Sequence, residues 1–62
     1  MTEDDDAKHI LLEIGRAVVH LRRQSYPINL GEIVEHLSDE RGAEENKVRR
    51  GALTRAIKLL MT

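Results

Sequence analysis

The sequence predicts an all-α fold, a small three-helix protein that forms an intertwined or side-by-side homodimer. Apolar residues recur at steps of three and four along most of the chain, which is the period of an amphipathic helix. The 62 residues include no Cys, Phe or Trp, so aliphatic side chains must form the core without disulfide support. Because a chain this short buries only about 60% of its unfolded surface, we expect a second copy to complete the core. One helical domain is predicted over residues 1–62, with a short acidic leader at 1–6.

The first helix is predicted over residues 4–24. Its predicted core face consists of seven apolar residues, Ala7, Ile10, Leu11, Ile14, Ala17, Val18 and Leu21. Thr2 or one of the aspartates after it can cap the start of this helix. Leu12 and Val19 lie outside the core face, and Gly15 between them allows another backbone to approach closely. The sequence therefore predicts a second contact surface on the first helix.

Pro27 ends the first helix, because proline lacks an amide donor and disfavours helical geometry before it. The second helix is predicted over residues 30–40. Asn29 and Glu32 have the spacing of a capping box at its start, and Gly42 is a suitable cap at its end. The residues expected to point inward are Leu30, Ile33, Val34 and Leu37.

The third helix is predicted over residues 44–61, with Glu44 and Glu45 at the positive end of its dipole. Its apolar residues are Val48, Ala52, Leu53, Ala56, Ile57, Leu59, Leu60 and Met61. They cover more than half of the circumference, so we expect this helix to be buried on two sides. The predicted dimer interface consists of Leu12, Gly15, Val19 and Leu59.

Catalytic chemistry has no visible basis in the sequence. It contains no Gly-rich phosphate loop, no HExxH element and no Ser or Thr with a His partner at helical spacing. His9 and Glu13 stand four residues apart, as two metal ligands could, but an outward-facing polar pair is the preferred interpretation. His36 is expected to be partly buried beside Glu32. We therefore predict no enzyme activity, cofactor, metal or small-molecule substrate.

The net charge of −1 conceals a basic last third of the chain, because residues 47–62 hold five Lys and Arg residues and no acid. The predicted macromolecule-binding face consists of Lys47, Arg50, Thr54, Arg55 and Lys58. Three interpretations are open: a solvated surface, a phosphate-contacting patch, or a contact with an acidic protein surface. The second of these predicts an alternative function, a helix-turn-helix-like DNA-binding protein. The acidic segment before the third helix is, however, longer than the usual turn of that motif.

The composition also bears on location. Hydrophobic residues make up 40% of the chain and charged residues 34%, which is typical of a folded rather than a disordered protein. No apolar run reaches the length of a signal-peptide core or a membrane span. We expect a cytoplasmic protein that makes no membrane contact.

Three segments of the sequence carry a family resemblance. They are Gly15–Leu21 followed by Ser25, then Ile28-Asn29 followed by Ile33–Leu37, and finally Arg50–Leu53 followed by Ala56-Ile57 and Leu59-Leu60. With these segments, residues 11–61 resemble the small enterobacterial regulators of the YmgB/AriR type. A fainter likeness to the fumarase D-type chains covers the same helices, but no catalytic motif supports an activity.

The resemblance implies an all-helical homodimer that acts as a regulator or connector in signalling and transcription. It implies effects on biofilm formation and acid survival that are exerted by contact with other molecules. We expect a protein partner of a signalling or transcription pathway rather than direct DNA binding. The acidic leader and the basic last helix depart from the family pattern.

Overall fold

The computed structural model describes the backbone of residues 3–62 and the side chains of residues 6–62. Its three helices are α1, Glu3–Arg23; α2, Leu30–Ala43; and α3, Lys47–Met61. Each helix packs against the other two. No strand occurs in residues 3–62, and the all-α prediction is confirmed. Thr2, predicted as a cap, lies outside the described residues.

The end of α1 is a Schellman motif with Ser25 at its turning point. The Tyr26 N–H donates to the Leu21 carbonyl at 3.0 Å, and the Ser25 N–H donates to the Arg22 carbonyl at 3.2 Å. Ser25 has a φ of 60°, the left-handed conformation that glycine usually supplies at this position. The chain therefore leaves the helix before it reaches Pro27, close to the predicted boundary.

The start of α2 agrees with the prediction, but its end does not. Asn29 is the cap, and its side-chain oxygen accepts the Glu32 N–H at 2.9 Å. The helix continues to Ala43, about one turn beyond the predicted end. Gly42 is not the cap, because it keeps a negative φ inside the helix. The extended backbone of Glu44 ends α2 instead.

The predicted start of α3 at Glu44 is wrong, because Asn46 caps the helix and Lys47 is its first residue. The Asn46 side-chain oxygen accepts the N–H of Val48 at 2.9 Å and that of Arg49 at 3.1 Å. An Asn side chain suits this position because it satisfies amide donors that have no partner within the helix. Glu44 therefore lies in the connection between α2 and α3. It precedes the cap of α3 and is not part of the first helical turn, where it was expected.

The hydrophobic core lies where the three helices meet. Its buried members are Ala17, Leu37, Leu53, Ala56 and Ile57. The half-buried side chains packed against them are Ile10, Ile14, Ile33, Val34 and Leu60. Since most of these residues were predicted to point inward, the core is confirmed in outline.

The buried face of α1 is rotated about the helix axis relative to the predicted face. Leu11 was assigned to the core but is 66% exposed, whereas Glu13 was assigned to the outer face but is 5% exposed. With a step of 100° per residue, the buried arc is centred near Ala17 rather than Ile14. The shift of roughly 50° brings Glu13 into the interior and moves Leu11 out of it.

Several other apolar side chains are more exposed than predicted. Leu30, the first residue of α2, was expected to point inward but is exposed. Val48 and Leu59 are also exposed, so the single chain buries only one side of α3. The expectation that α3 is buried on two sides is therefore not met within one chain.

Candidate interaction surfaces and their polar support

A buried ion pair joins α1 to α3. Glu13 is 5% exposed, and Arg49 reaches it from the first turn of α3. Arg49 Nε donates to Glu13 Oε2 at 3.0 Å, and Arg49 Nη2 donates to Glu13 Oε1 at 3.1 Å. Two parallel bonds of this kind fix the orientation of both side chains. The predicted outward-facing pair of His9 and Glu13 is therefore wrong, because Glu13 faces α3.

Two further acids surround the Arg49 guanidinium. Arg49 Nη2 lies 3.6 Å from Glu40 of α2, and Arg49 Nη1 lies 3.4 Å from Glu44 of the connection. Hydrogen bonding of the Arg49 guanidinium to Glu13, which accepts, is the largest cause that raises the pKa of Arg49. The charges of the three carboxylates add to it, against the opposing effect of burial. Arg49 is therefore charged at every physiological pH and ties all three helices together.

Two histidines extend this cluster to the surface. His36 Nε2 lies 3.3 Å from Glu40 Oε1, one turn further along α2. The ring of His36 stacks on the ring of His20 of α1, with centroids 4.2 Å apart and planes inclined by 19°. His36 is partly buried as predicted, and its local partner is Glu40 rather than the suggested Glu32. Stacked rings direct their nitrogens sideways, so the pair packs two helices rather than converging on a common ligand.

The predicted second contact surface of α1 is exposed. Its four residues, Leu11, Leu12, Gly15 and Val19, are called here the α1 strip. Leu12 is 55% exposed and Val19 is 50% exposed. The strip forms one wall of an open groove of about 690 Å³, in which His36 and Glu40 of α2 stand on the other side. Sequence reasoning placed three of the four strip residues in this surface and assigned Leu11 to the core.

The predicted basic face of α3 is partly occupied by contacts within the chain. Arg50 donates to the Glu44 carbonyl through Nε at 2.9 Å and through Nη2 at 2.6 Å. The Thr54 hydroxyl donates to the Arg50 carbonyl of its own helix at 3.0 Å. Arg55 is paired with Asp6 of α1. The two lysines of this face, Lys47 and Lys58, are exposed.

Leu59, the last member of the predicted dimer interface, is exposed near the end of α3. It falls within about 20° of Val48 around the helix axis, so both side chains belong to the same outer face of α3. Val48 and Leu12 line a second open groove, of about 320 Å³. The exposed apolar residues of α1 and α3 therefore approach each other at the Val48 end of α3.

The side chains from residue 6 onward contain no group of three His, Asp or Glu residues placed to hold a metal ion. Among residues 3–62, no helix has the length and apolar character required to cross a bilayer. The described part of the chain thus presents several exposed apolar surfaces, and a partly buried polar cluster fixes the positions of the helices that carry them.

Sequence reasoning missed the pair of Glu13 and Arg49, although a signal was present. Glu13 stands three residues after Ile10 and four before Ala17, so helical spacing places it on the core stripe. Arg49 stands four residues before Leu53, which is also in the core. Opposite charges on two core stripes indicate a buried pair, because neither charge is stable there alone.

The comparisons with known proteins add no relative: no protein-family model, curated protein or solved structure matches this chain. The resemblance to the YmgB/AriR-type regulators therefore stays a prediction.

Proposed function

We propose that this chain is a non-enzymatic regulatory or connector protein of the cytoplasm that works as a homodimer and binds a protein partner. The observation that carries the proposal is the amount of apolar surface left over after one core is complete. Within residues 6–62, nine large apolar side chains are exposed: Leu11, Leu12, Val19, Tyr26, Ile28, Leu30, Val48, Leu59 and Met61. Contiguous exposed apolar surface on a small protein commonly marks an interaction site.

These side chains fall into more than one surface, which suits a protein that joins partners. Tyr26, Ile28 and Leu30 lie together in sequence at the connection between α1 and α2, away from the α1 strip. Tyr26 also borders an open groove of about 430 Å³ whose acidic lining residues are Glu32, Glu35 and Asp39. An exposed Tyr26 beside three carboxylates fits a partner segment that carries apolar and basic side chains.

The alternative function, direct DNA binding, receives less support. Phosphate binding needs cationic side chains that are not already engaged within the protein, because each one that neutralises a phosphate adds to the affinity. On the predicted basic face, however, Arg50 is held by the Glu44 carbonyl and Arg55 by Asp6. The acids of the connection also lie next to the start of α3, where they would repel a phosphate backbone. We therefore favour a protein partner in a signalling or transcription pathway.

The resemblance noted above supplies the biological part of the proposal, control of biofilm formation and acid survival. Deletion of the coding sequence is expected to change biofilm mass and survival after acid challenge, and expression of the chain should restore both. Unchanged biofilm mass and acid survival in the deletion strain would overturn the proposed biological role, but they would not bear on the proposed binding activity.

The binding activity is tested by affinity purification of the tagged full chain from its host after nuclease digestion. We expect a defined protein to be retained by the wild type and lost with Leu30→Gln, which removes an exposed apolar side chain from the α1–α2 connection. The matched control is Met61→Gln, an equivalent change at another exposed apolar residue, and it should retain the partner.

Fluorescence anisotropy with duplex DNA tests the DNA-binding alternative. Binding that weakens steeply with salt and is lost in Lys47→Glu and Lys58→Glu would overturn the protein-binding proposal in favour of DNA. Anisotropy that does not change with DNA, together with the selective loss of a protein in Leu30→Gln, would support it.

A further inference from the structure

We infer that the α1 strip packs against the α1 strip of a second copy, with the two helices antiparallel and related by a two-fold axis near Gly15. The strip residues Leu11 and Val19 stand four positions on either side of Gly15. A half-turn about Gly15 therefore brings Leu11 of one chain to Val19 of the other. Such a surface is complementary to itself, as a closed two-fold dimer requires.

Gly15 provides the room that close helix packing needs. A Cβ atom added at Gly15 would meet no atom within 4 Å, so no part of the same chain covers this position. Glycine in the interior of a helix makes the helix less stable than alanine does. The core offers no explanation for this residue, whereas an approaching helix backbone does.

The charges along α1 favour the antiparallel arrangement. Residues 3–8 contain four acids and one lysine, whereas residues 16–23 contain three arginines and no acid. Antiparallel helices place the acidic end of each chain beside the basic end of the other. Parallel helices would instead bring like charges together at both ends, which is unfavourable.

The groove beside the strip determines where the second α1 lies. His36 and Glu40 of α2 line the groove together with the strip, and Arg16 and His20 of α1 also border it. The second helix would therefore contact α2 as well as α1. This contact would cover the stacked histidines and place the polar cluster of Arg49 and its three carboxylates behind the interface.

The absence of cysteine from the chain allows a direct test by disulfide formation in a glutathione redox buffer. In the antiparallel pair, Cys introduced by Val19→Cys lies about 12 Å along the axis from its own copy, beyond the roughly 7 Å between Cα atoms that a disulfide spans. Leu11→Cys behaves in the same way. We expect neither variant to cross-link alone and their equimolar mixture to form a mixed disulfide dimer.

Cross-linking of each variant with itself, without a mixed product, would overturn the inference in favour of parallel helices. No disulfide in any sample would overturn it entirely. The inference deepens the proposed function and rests on it, yet the two fail separately, because capture of a partner through the Leu30 surface does not require the α1 strip.

A second pair of variants separates pairing from folding. Gly15→Leu should raise the dissociation constant of the dimer about tenfold or more, because the added side chain enters a packed contact. Gly42→Leu is the matched control, since Gly42 also lies inside a helix with no atom within 4 Å of its Cβ position, and it should change the dissociation constant less than about twofold. Equal effects of the two substitutions in sedimentation would contradict the inference.

Discussion

Replacement of Arg49 by methionine should be the most damaging single change to the polar cluster. Among the side chains of residues 6–62, only Arg49 is hydrogen-bonded to Glu13, whose side chain is 6% exposed. Arg49→Met would therefore leave a buried carboxylate without a counter-charge. The reverse substitution, Glu13→Gln, is milder because Arg49 keeps Glu40 and Glu44 and its side chain is 25% exposed to solvent.

The size of the effect follows from burial. Removal of one partner from a fully buried ion pair costs about 3–5 kcal/mol. Since a quarter of the Arg49 side chain is exposed, water can reach part of the space it vacates, and we expect a loss of about 2–3 kcal/mol for Arg49→Met. A chain of 62 residues has a free energy of unfolding of roughly 3–9 kcal/mol. The variant should thus lose a large share of its stability.

The double variant Glu13→Leu, Arg49→Met distinguishes an unpaired charge from lost packing. It replaces both charged groups by apolar ones of similar length, and we expect its free energy of unfolding to lie within about 1 kcal/mol of the wild type. With the single variants Glu13→Leu and Arg49→Met it forms a double-mutant cycle, whose interaction energy should be at least about 1 kcal/mol.

The assay is urea unfolding followed by the helical circular dichroism signal, with all variants at one protein concentration because dimerisation adds to apparent stability. Losses for Arg49→Met and Glu13→Gln that are equal would refute the reasoning. So would a double variant that is less stable than Arg49→Met, since the carboxylate would then not be the cause.

Four other substitutions test the helix ends and the helical glycines, each by the midpoint of thermal unfolding. Ser25→Gly should stabilise by about 0.5–1 kcal/mol, because glycine adopts the left-handed φ of Ser25 without strain; a lower midpoint would contradict this. Asn46→Ala should destabilise by about 1 kcal/mol through loss of the α3 cap, and an unchanged midpoint would show that the cap is dispensable. Gly42→Ala should stabilise by about 1 kcal/mol, whereas Gly51→Ala should gain less, because its Cβ would lie 3.1 Å from Arg55 Nη1; equal gains would disprove the contact.

The helices and much of the core could be predicted from the sequence because their signals are local. The apolar steps of three and four around Ala17 and Leu53 and the cap at Asn29 depend on neighbours within one or two turns. The boundary between α2 and α3 was harder to predict, because Gly42 and Asn46 are both good boundary residues and only one of them is used as a cap.

The polar cluster depends on contacts between residues far apart in the chain. Glu13 and Arg49 are 36 residues apart, so their positions on the two core stripes indicate the pair only when both helices are considered together. The stack of His20 on His36 is equally non-local. The buried face of α1 was predicted from apolar residues alone, without the ion pair that holds Glu13 against Arg49. As a result, Leu11 was assigned to the core.

The claim that this chain works by contact through the α1 strip is tested most directly by sedimentation equilibrium of the wild type and Val19→Asp. For the wild type we expect the molar mass to rise with concentration from 7.1 kDa toward twice that value. Val19→Asp places a charge on an exposed position of the strip, so it should keep its helical content and sediment as a single chain. A wild-type mass that stays at one chain up to tens of micromolar, or a variant that dimerises as well as the wild type, would contradict the claim.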